Sequence, residues 1–167
     1  MRTPLRQCTL GSPLGPLELW STETGLCALL FSDQRSTIET RLRRRFGGRR
    51  PEPGDPFGAC EALDAWFRGS SGALEQLPLD PGGTAFQQDV WDALRKIPPG
   101  ETRSYGQVAE AIGRPAAARA VGSANGANPL PIVVPCHRVV GARGALSGFA
   151  FGVERKQWLL DFERSGA

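Results

Sequence analysis

The chain has 167 residues, 40% of them apolar and 22% charged, with a net charge of +3. That is ordinary globular composition with enough material for one domain or two small ones, and no apolar run is long enough to cross a membrane. The opening Met1-Arg2-Thr3-Pro4 lacks the apolar core of a signal peptide, so a soluble, cytoplasmic protein is expected.

Residues 1–83 hold ten Arg against ten Asp and Glu and cancel, whereas residues 84–167 hold ten Lys and Arg against seven acids. A mild basic excess in one half is compatible with a polyanionic partner. A denser cluster, Arg41, Arg43, Arg44, Arg45, Arg49 and Arg50, reads as a solvated helix end and loop, with a phosphate contact as the alternative. The four cysteines, Cys8, Cys27, Cys60 and Cys136, show no CxxC spacing, and His137 is the only histidine. A zinc knuckle or a redox pair is therefore not indicated, and Cys8, Cys27 and Cys60 read as reduced core residues.

In chain order, the first third reads as β-rich. Ser12-Pro13-Leu14-Gly15-Pro16 has turn chemistry, Leu17 and Leu19 then alternate with polar neighbours, and Leu26 to Phe31 predicts a buried strand. Ile38, Leu42 and Phe46 recur every four residues and predict a helix over Gln34 to Phe46. A proline-rich loop follows, then a second helix over Phe57 to Phe67 with Leu63, Trp66 and Phe67 inward. Asp80-Pro81-Gly82-Gly83 is the best domain boundary, giving domains 1–80 and 84–167.

The second half reads as mainly helical. Phe86, Val90, Leu94 and Ile97 have helical spacing, and Pro98-Pro99-Gly100 stops the element. Ser104 opens the next helix with Gln107 completing a capping box, and Tyr105, Val108, Ala109 and Ile112 share one face. Pro115 suits the start of a short helix of small residues running toward Gly126, in which Arg119 is the one long cation. Two short helices so joined suggest a helix-turn-helix, and an isolated Arg among small residues suits a groove reader as well as a packed surface. Ile132-Val133-Val134 predicts a buried strand ended by Pro135, and the last helix, Val153 to Glu163, carries Trp158, Leu159 and Phe162 as its apolar stripe.

Cys136 and His137 stand side by side after that strand. An imidazole next to a thiol can take its proton, and thiolate is the nucleophilic form of cysteine. A small buried thiol beside a satisfied histidine is the plainer alternative.

Pro135-Cys136-His137-Arg138-Val139-Val140 resembles the signature of the O6-alkylguanine-DNA alkyltransferases, the methylated-DNA–protein-cysteine methyltransferase family. The likeness extends from Phe86 through Ser104-Tyr105-Gly106-Gln107, Ala117-Ala118-Arg119-Ala120-Val121-Gly122 and Asn128-Pro129 to Trp158-Leu159-Leu160 and Glu163, with Ser12-Pro13-Leu14-Gly15 as a weaker match. The resemblance implies an α/β N-terminal domain (a small, ribonuclease H-like sheet with helices) and a mainly α C-terminal domain with a winged-helix-like helix-turn-helix. It implies repair by direct damage reversal: one irreversible transfer of a methyl or larger alkyl group from O6-alkylguanine, and also O4-alkylthymine, to Cys136 after base flipping.

By the same resemblance, His137 keeps Cys136 as thiolate, working through a water held by Glu163, and Asn128 braces the turn before the active-site strand. Arg119 fills the space left by the flipped base, and Tyr105 presses on the neighbouring phosphate. Gln87, Arg114, Ser123 and Ala142 contact DNA, with the motif entering the minor groove. The substrate pocket falls to Val139, Gly148, Phe149, Ala150 and Phe151. After Gly148 the family usually has Tyr-Ala/Ser-Gly-Gly, so Phe149 lacks a hydroxyl here and Phe151 sets a large ring at the pocket lip. Some relatives bind a structural zinc, but Thr3 and Thr22 stand where two of its cysteines align, so neither metal nor cofactor is expected.

The expected partner is double-stranded DNA bearing alkylated guanine, met by a monomer that could assemble cooperatively on it, nucleoid-associated if the source is bacterial. Two other readings compete. An alkyltransferase-like lesion binder without transfer activity would lack the acceptor cysteine, which is present. A cysteine hydrolase would need a histidine from elsewhere in the fold, and there is none.

Overall fold

The computed structural model describes residues 4–146 and 149–166. The chain divides into two compact units, one ending at Pro81 and one beginning at Gly82.

The first unit is a four-stranded sheet with two helices. Strands β1 (Arg6–Leu10), β2 (Leu17–Ser21) and β3 (Leu26–Phe31) form an antiparallel meander, and the two-residue β4 (Glu52–Pro53) pairs parallel with β1, giving the order β3-β2-β1-β4. Every residue of β3 is buried, as its unbroken apolar run predicts for a strand covered on both faces. Helix α1 (Ser36–Phe46) buries Ile38, Leu42 and Phe46, the expected stripe. It ends at Gly47, whose left-handed φ of 65° would strain any side chain. Helix α2 (Ala59–Phe67) starts two residues later than expected, because the Asp55 carboxylate accepts from Ala59 N at 2.7 Å and Cys60 N at 3.0 Å and so caps it.

One expectation for this unit is corrected. Cys8 and Cys60 are joined in a disulfide across 52 residues, and only Cys27 of the three is a free, buried thiol. Spacing in sequence does not show that β1 and α2 meet. Thr22 is buried, and its hydroxyl donates to Asp80 at 2.6 Å. Thr3 lies outside the described residues.

The second unit is a cluster of helices with a minimal two-stranded sheet. Helix α3 (Ala85–Arg95) opens on a Thr84–Gln87 capping box and packs Val90, Trp91 and Leu94 inward, with the Trp91 indole donating to Ala124 O at 2.9 Å. Helices α4 (Tyr105–Ala111) and α5 (Ala118–Gly126) are the helix-turn-helix pair. Ser104 and Gln107 make the expected capping box of α4, while Pro115 sits in the turn rather than at the start of α5. Strand β5 (Arg103–Ser104) pairs parallel with β6 (Val139–Val140), setting Ser104 opposite Val140 and so fixing the start of α4 beside the segment that follows Cys136.

The expected strand before Cys136 is not formed. Ile132, Val133 and Val134 are buried as their side chains demand, but Pro129, Pro131 and Pro135 deprive the segment of three N–H donors, and it folds as turns instead. Val133 N bonds Pro131 O at 2.9 Å, Val134 N bonds Leu130 O at 2.8 Å, and Cys136 N bonds Val134 O at 2.7 Å. Ile132 takes a φ of 73°, a left-handed conformation rare for a β-branched residue. Cys136–Arg138 then makes one turn of 3-10 helix, and Ala142–Gly144 another.

The last helix, α6 (Val153–Arg164), also buries a different face. Lys156, Leu159, Leu160 and Glu163, spaced i, i+3, i+4 and i+7, point inward. Trp158 and Phe162 stack on each other, centroids 5.0 Å apart, on the half-buried flank. A stripe that includes a lysine and a glutamate does not read as apolar, which is why the sequence pattern misses it.

Candidate active site

Cys136 opens the 3-10 turn and is 1% exposed, and His137 beside it is fully buried. The turn is positioned from three sides. Asn128 donates to Val134 O at 2.8 Å and accepts from Leu130 N at 2.9 Å, spanning the proline-rich loop. Asn125, buried on α5, donates to Cys136 O at 3.4 Å. From α6, Lys156 Nζ donates to Val139 O at 2.5 Å.

Glu163, also on α6, organises the charge. Its Oε1 lies 2.5 Å from His137 Nε2. Arg138 grips both carboxylate oxygens, Nε to Oε2 and Nη2 to Oε1, each at 2.9 Å, while Arg138 Nη1 donates to Ile97 O at 2.6 Å. Gly100 N donates to Oε2 at 3.1 Å. Burial would raise the Glu163 carboxyl, but hydrogen bonds from His137 and Arg138, with their charge, outweigh it and hold its pKa at about 2. Glu163 is therefore ionised and can only accept. His137 must donate Nε2–H to it, which leaves the lone pair on Nδ1. Nδ1 is buried and has no hydrogen-bond partner among the described residues. Burial, helped by the charges of Arg138 and Lys156, depresses the imidazole pKa against the pull of Glu163, so the ring rests neutral.

Two expectations change here. Glu163 holds the histidine directly rather than through a water. Burial also pushes the Cys136 thiol up to about 11, despite a hydrogen bond from Asn128 and the charge of Lys156, so the resting group is a thiol and not a thiolate. The arrangement is a protonated thiol next in the chain to a neutral imidazole of fixed tautomer.

The remaining expected residues divide by place. Tyr105 begins α4, half-buried, with its ring 3.8 Å from where a Cβ on Gly122 would sit. Burial raises its hydroxyl pKa, with Cys136 adding to the shift. Arg119 and Ser123, one helical turn apart, are exposed on α5, and Ala142 is exposed in its own turn. Arg114 is exposed with its guanidinium 5.5 Å from the Phe86 ring centre. The Gln87 carbonyl accepts from Thr84 N at 3.0 Å, leaving the amide hydrogens for any phosphate. Val139 is fully buried, and Ala150 is exposed. Gly148 lies outside the described residues. Phe151 is not at an open lip: it is 2% exposed and meets Phe149 edge to face at 5.4 Å, while Lys156 Nζ stands 5.8 Å from the Phe149 ring centre.

Lys156, Arg138 and Asn125 are absent from the sequence-based set. Arg138 lies inside the signature, and Lys156 falls seven residues before Glu163, the spacing that would have put both on one face. Asn125 carried no signal. Among the described residues, Cys8, Asp55 and Cys60 are the one group close enough to share a metal, within 4.8 Å of one another. Their donors are already engaged, two in the disulfide and one in the helix cap.

Comparison with known proteins decides the family. Residues 5–81 match the family 6-O-methylguanine DNA methyltransferase, ribonuclease-like domain, and residues 85–165 match 6-O-methylguanine DNA methyltransferase, DNA binding domain. The chain belongs to the 6-O-methylguanine DNA methyltransferase family. It is 46% identical over 158 residues to the methylated-DNA–protein-cysteine methyltransferase of Salmonella typhimurium, covering 92% of each chain. It is 48% identical over 159 residues to the Mycobacterium tuberculosis protein of the same name, covering 95% of this chain and 92% of that one. The crystal structure of Mycobacterium tuberculosis OGT in complex with DNA matches with a TM-score of 0.79 at 47% identity, over 98% of this chain and 94% of that chain. The O6-methylguanine-DNA methyltransferase of Pyrococcus kodakaraensis matches at 0.69 and 26% identity, over 95% of this chain and 98% of that chain. The ribonuclease-like sheet and the helical DNA-binding unit of the family are thus the two units described above.

Proposed function

We propose that this protein is a methylated-DNA–protein-cysteine S-methyltransferase that repairs O6-alkylguanine, and O4-alkylthymine, in duplex DNA by moving the alkyl group to Cys136. The observation that carries the reading is the buried Cys136–His137–Glu163 series, in which an ionised carboxylate fixes the imidazole with its free lone pair on Nδ1. A buried thiol whose pKa stands near 11 needs such a base at the moment of reaction.

In the step itself, the Cys136 proton passes to His137 Nδ1, through one bridging water. Sulfur attacks the alkyl carbon, the S–C bond forms as the C–O6 bond breaks, and the electron pair leaves on guanine. The imidazolium, stabilised by Glu163, returns a proton to guanine, so thiol and alkylguanine become thioether and guanine. The Lys156 charge favours the transient thiolate and Asn128 orients it. A thioether, unlike a disulfide, is not reopened by thiol exchange, so each chain acts once.

The lesion must leave the stack to reach a buried sulfur. The exposed α5 face carrying Arg119 and Ser123 suits the minor groove, with Arg119 occupying the vacated space and Tyr105, half-buried and electrostatically coupled to Cys136, turning the nucleotide inward. Gln87, Arg114 and Ala142 contact the backbone. The protein acts as a monomer on cytoplasmic DNA, with assembly along the duplex left to protein concentration. Among the described residues no helix is long and apolar enough to cross a membrane.

The test is incubation with duplex DNA carrying O6-methylguanine, followed by peptide mass analysis. One methyl per chain is expected, on the peptide holding Cys136, and none after Cys136→Ser. Repeated turnover, or tight binding with no transfer, rejects the reading.

A further inference from the structure

The first unit has no net charge, ten Arg against ten acids up to residue 81, yet six of those arginines fall within residues 41–50, where there is no acid. The structure accounts for two of the six. Arg45 pairs with Asp80 at 2.5 Å, and Arg49 donates to Phe46 O at 3.1 Å. Arg41, Arg43, Arg44 and Arg50 are exposed and have no carboxylate partner among the described residues. Partial burial depresses Arg41, and the like charge of Arg44 adds to the shift. Four unneutralised guanidinium groups within ten residues, from the second half of α1 to the loop after it, are a concentrated positive field in a unit with no net charge.

The kind of partner follows from what accompanies the charge. The two apolar residues of the stretch that could anchor a protein, Leu42 and Phe46, are buried under the arginines. The exposed large hydrophobic side chain among the described residues, Val153, is in the other unit. Protein interfaces and membrane surfaces both draw on apolar or aromatic anchors, whereas contacts to a nucleic-acid backbone need charge and donors alone. All six cations are arginine, the side chain whose fork matches phosphate oxygens in pairs. Gly47 and Gly48, both at positive φ, turn the chain so that Arg50 follows the helix end closely. Arg43, Arg49 and Arg50 line the rim of a cavity of about 430 Å³.

We infer that the Arg41–Arg50 segment of the ribonuclease-like unit is a second, sequence-independent DNA-binding surface that holds backbone phosphates outside the helix-turn-helix site. The inference rests on the reading that duplex DNA is the substrate. The phosphates belong either to the same duplex, flanking the lesion, or to a second duplex.

The test uses the full chain with Arg43→Gln, Arg44→Gln and Arg50→Gln combined, and undamaged duplex of about 30 base pairs, so that no alkyl transfer is needed for the readout. Each lost phosphate contact should flatten the dependence of log affinity on log salt by about 0.9. The triple variant should therefore lose ~2–3 from that slope and at least ~10-fold in affinity at low salt. Transfer from free O6-methylguanine base and the thermal midpoint should stay as in the wild-type. Arg68→Gln, which removes an exposed Arg of the same unit, should lose no more than a third as much. An unchanged slope in the triple variant, or an equal loss in Arg68→Gln, overturns the inference. If the variant matches wild-type on a duplex of about 10 base pairs but not on the long one, the contact is to flanking phosphates. If wild-type bridges two duplexes in a mobility assay and the variant does not, the contact is to a second duplex. A chain that binds DNA with the expected slopes but never takes up methyl would fail as a methyltransferase while the second surface stood.

Discussion

Glu163 Oε1 and His137 Nε2 lie 2.5 Å apart with neither side chain more than 1% exposed. Their contact fixes which nitrogen of the only histidine carries the proton, and so which one keeps its lone pair. Glu163→Gln removes the charge that stabilises the imidazolium and leaves Arg138 buried without its carboxylate. The rate of methyl transfer from duplex should fall by about 10²-fold or more, the scale of a lost general base. Stability should fall by roughly 3–5 kcal/mol, as when one partner of a buried ion pair is removed. Single-turnover kinetics and urea denaturation measure the two separately. A full rate in a destabilised variant would make Glu163 structural only.

The same pair sets the pH response. His137 is depressed below the ordinary 6.5, so its base form persists to lower pH than a free imidazole, and Cys136 stands near 11. The transfer rate should be flat across neutrality, fall only below pH 6.5, and climb again toward 11 as hydroxide takes the thiol proton directly. An unassisted thiol would instead gain about tenfold per pH unit throughout neutrality. Toward acid, stability changes in one direction. Glu163 and His137 both bind protons more readily unfolded than folded, so acid favours unfolding: the His137 contribution drains away as pH falls below 6.5, and that of Glu163 between 4.5 and about 2. Acid titration followed by circular dichroism, with Glu163→Gln losing the lower of the two phases, checks this.

How much of this could be read from residues differs by element. Strand β3, the α1 stripe and the Ser104 cap were legible because a single local rule governs each: an unbroken apolar run, a four-residue period, a capping box. Strand β1 was not, since none of its residues is fully buried. The segment before Cys136 misleads because burial and strand formation come apart there. Ile132, Val133 and Val134 satisfy the hydrophobic demand while three prolines forbid the ladder. The inward face of α6 was hidden by its own chemistry, since Lys156 and Glu163 are buried for each other's neighbours and not for water. The Cys8–Cys60 link is a fact of tertiary contact across 52 residues that no local pattern carries. The signature singles out Cys136, His137 and Glu163 as candidates; the resting protonation state came only from burial.

Arg119 is exposed on α5, where it makes no contribution to the core or to the buried charge network. Arg119→Ala should therefore leave stability within about 0.5 kcal/mol of wild-type. It should slow transfer from a lesion in duplex at least ~10-fold, because unstacking a base costs a few kcal/mol that an inserted side chain partly offsets. Reaction with free O6-benzylguanine should be unchanged, since no base must be flipped. Equal losses on both substrates would deny Arg119 a part in flipping.

The Cys8–Cys60 disulfide belongs to the first unit, and Cys136 to the second. Closing a loop of 52 residues contributes up to about 4 kcal/mol by restricting the unfolded chain. Treatment with reductant, or Cys8→Ala with Cys60→Ala, should lower the thermal midpoint by ~10 °C or more, while methyl uptake at Cys136 per folded chain stays unchanged. Disulfides are rare where thiol reductants are abundant, so the bond is expected to form in the purified protein and to be partly reduced in any reducing compartment. Calorimetry with and without reductant reads the stability, and alkylation of free thiols in freshly lysed cells reads the redox state. An identical midpoint in both conditions would show that the bond adds nothing to the fold.

Phe151 sets a large, buried ring in the segment that leads into α6. Its ring is 2% exposed, edge-on to Phe149, which in turn faces the Lys156 ammonium that senses Cys136. If the alkyl pocket borders this ring, the ring takes volume that a larger alkyl group would need. Phe151→Ala should raise the rate with O6-benzylguanine relative to O6-methylguanine by about tenfold, the scale on which pocket volume discriminates. The cavity left behind should cost roughly 3–5 kcal/mol. Phe151→Leu keeps more of the packing, and it should give an intermediate ratio with a smaller loss. Competition between the two lesions for a limiting amount of protein measures the ratio without reference to the folded fraction. An unchanged ratio in both variants would mean that Phe151 serves the packing of Phe149 and leaves alkyl size to other walls of the pocket.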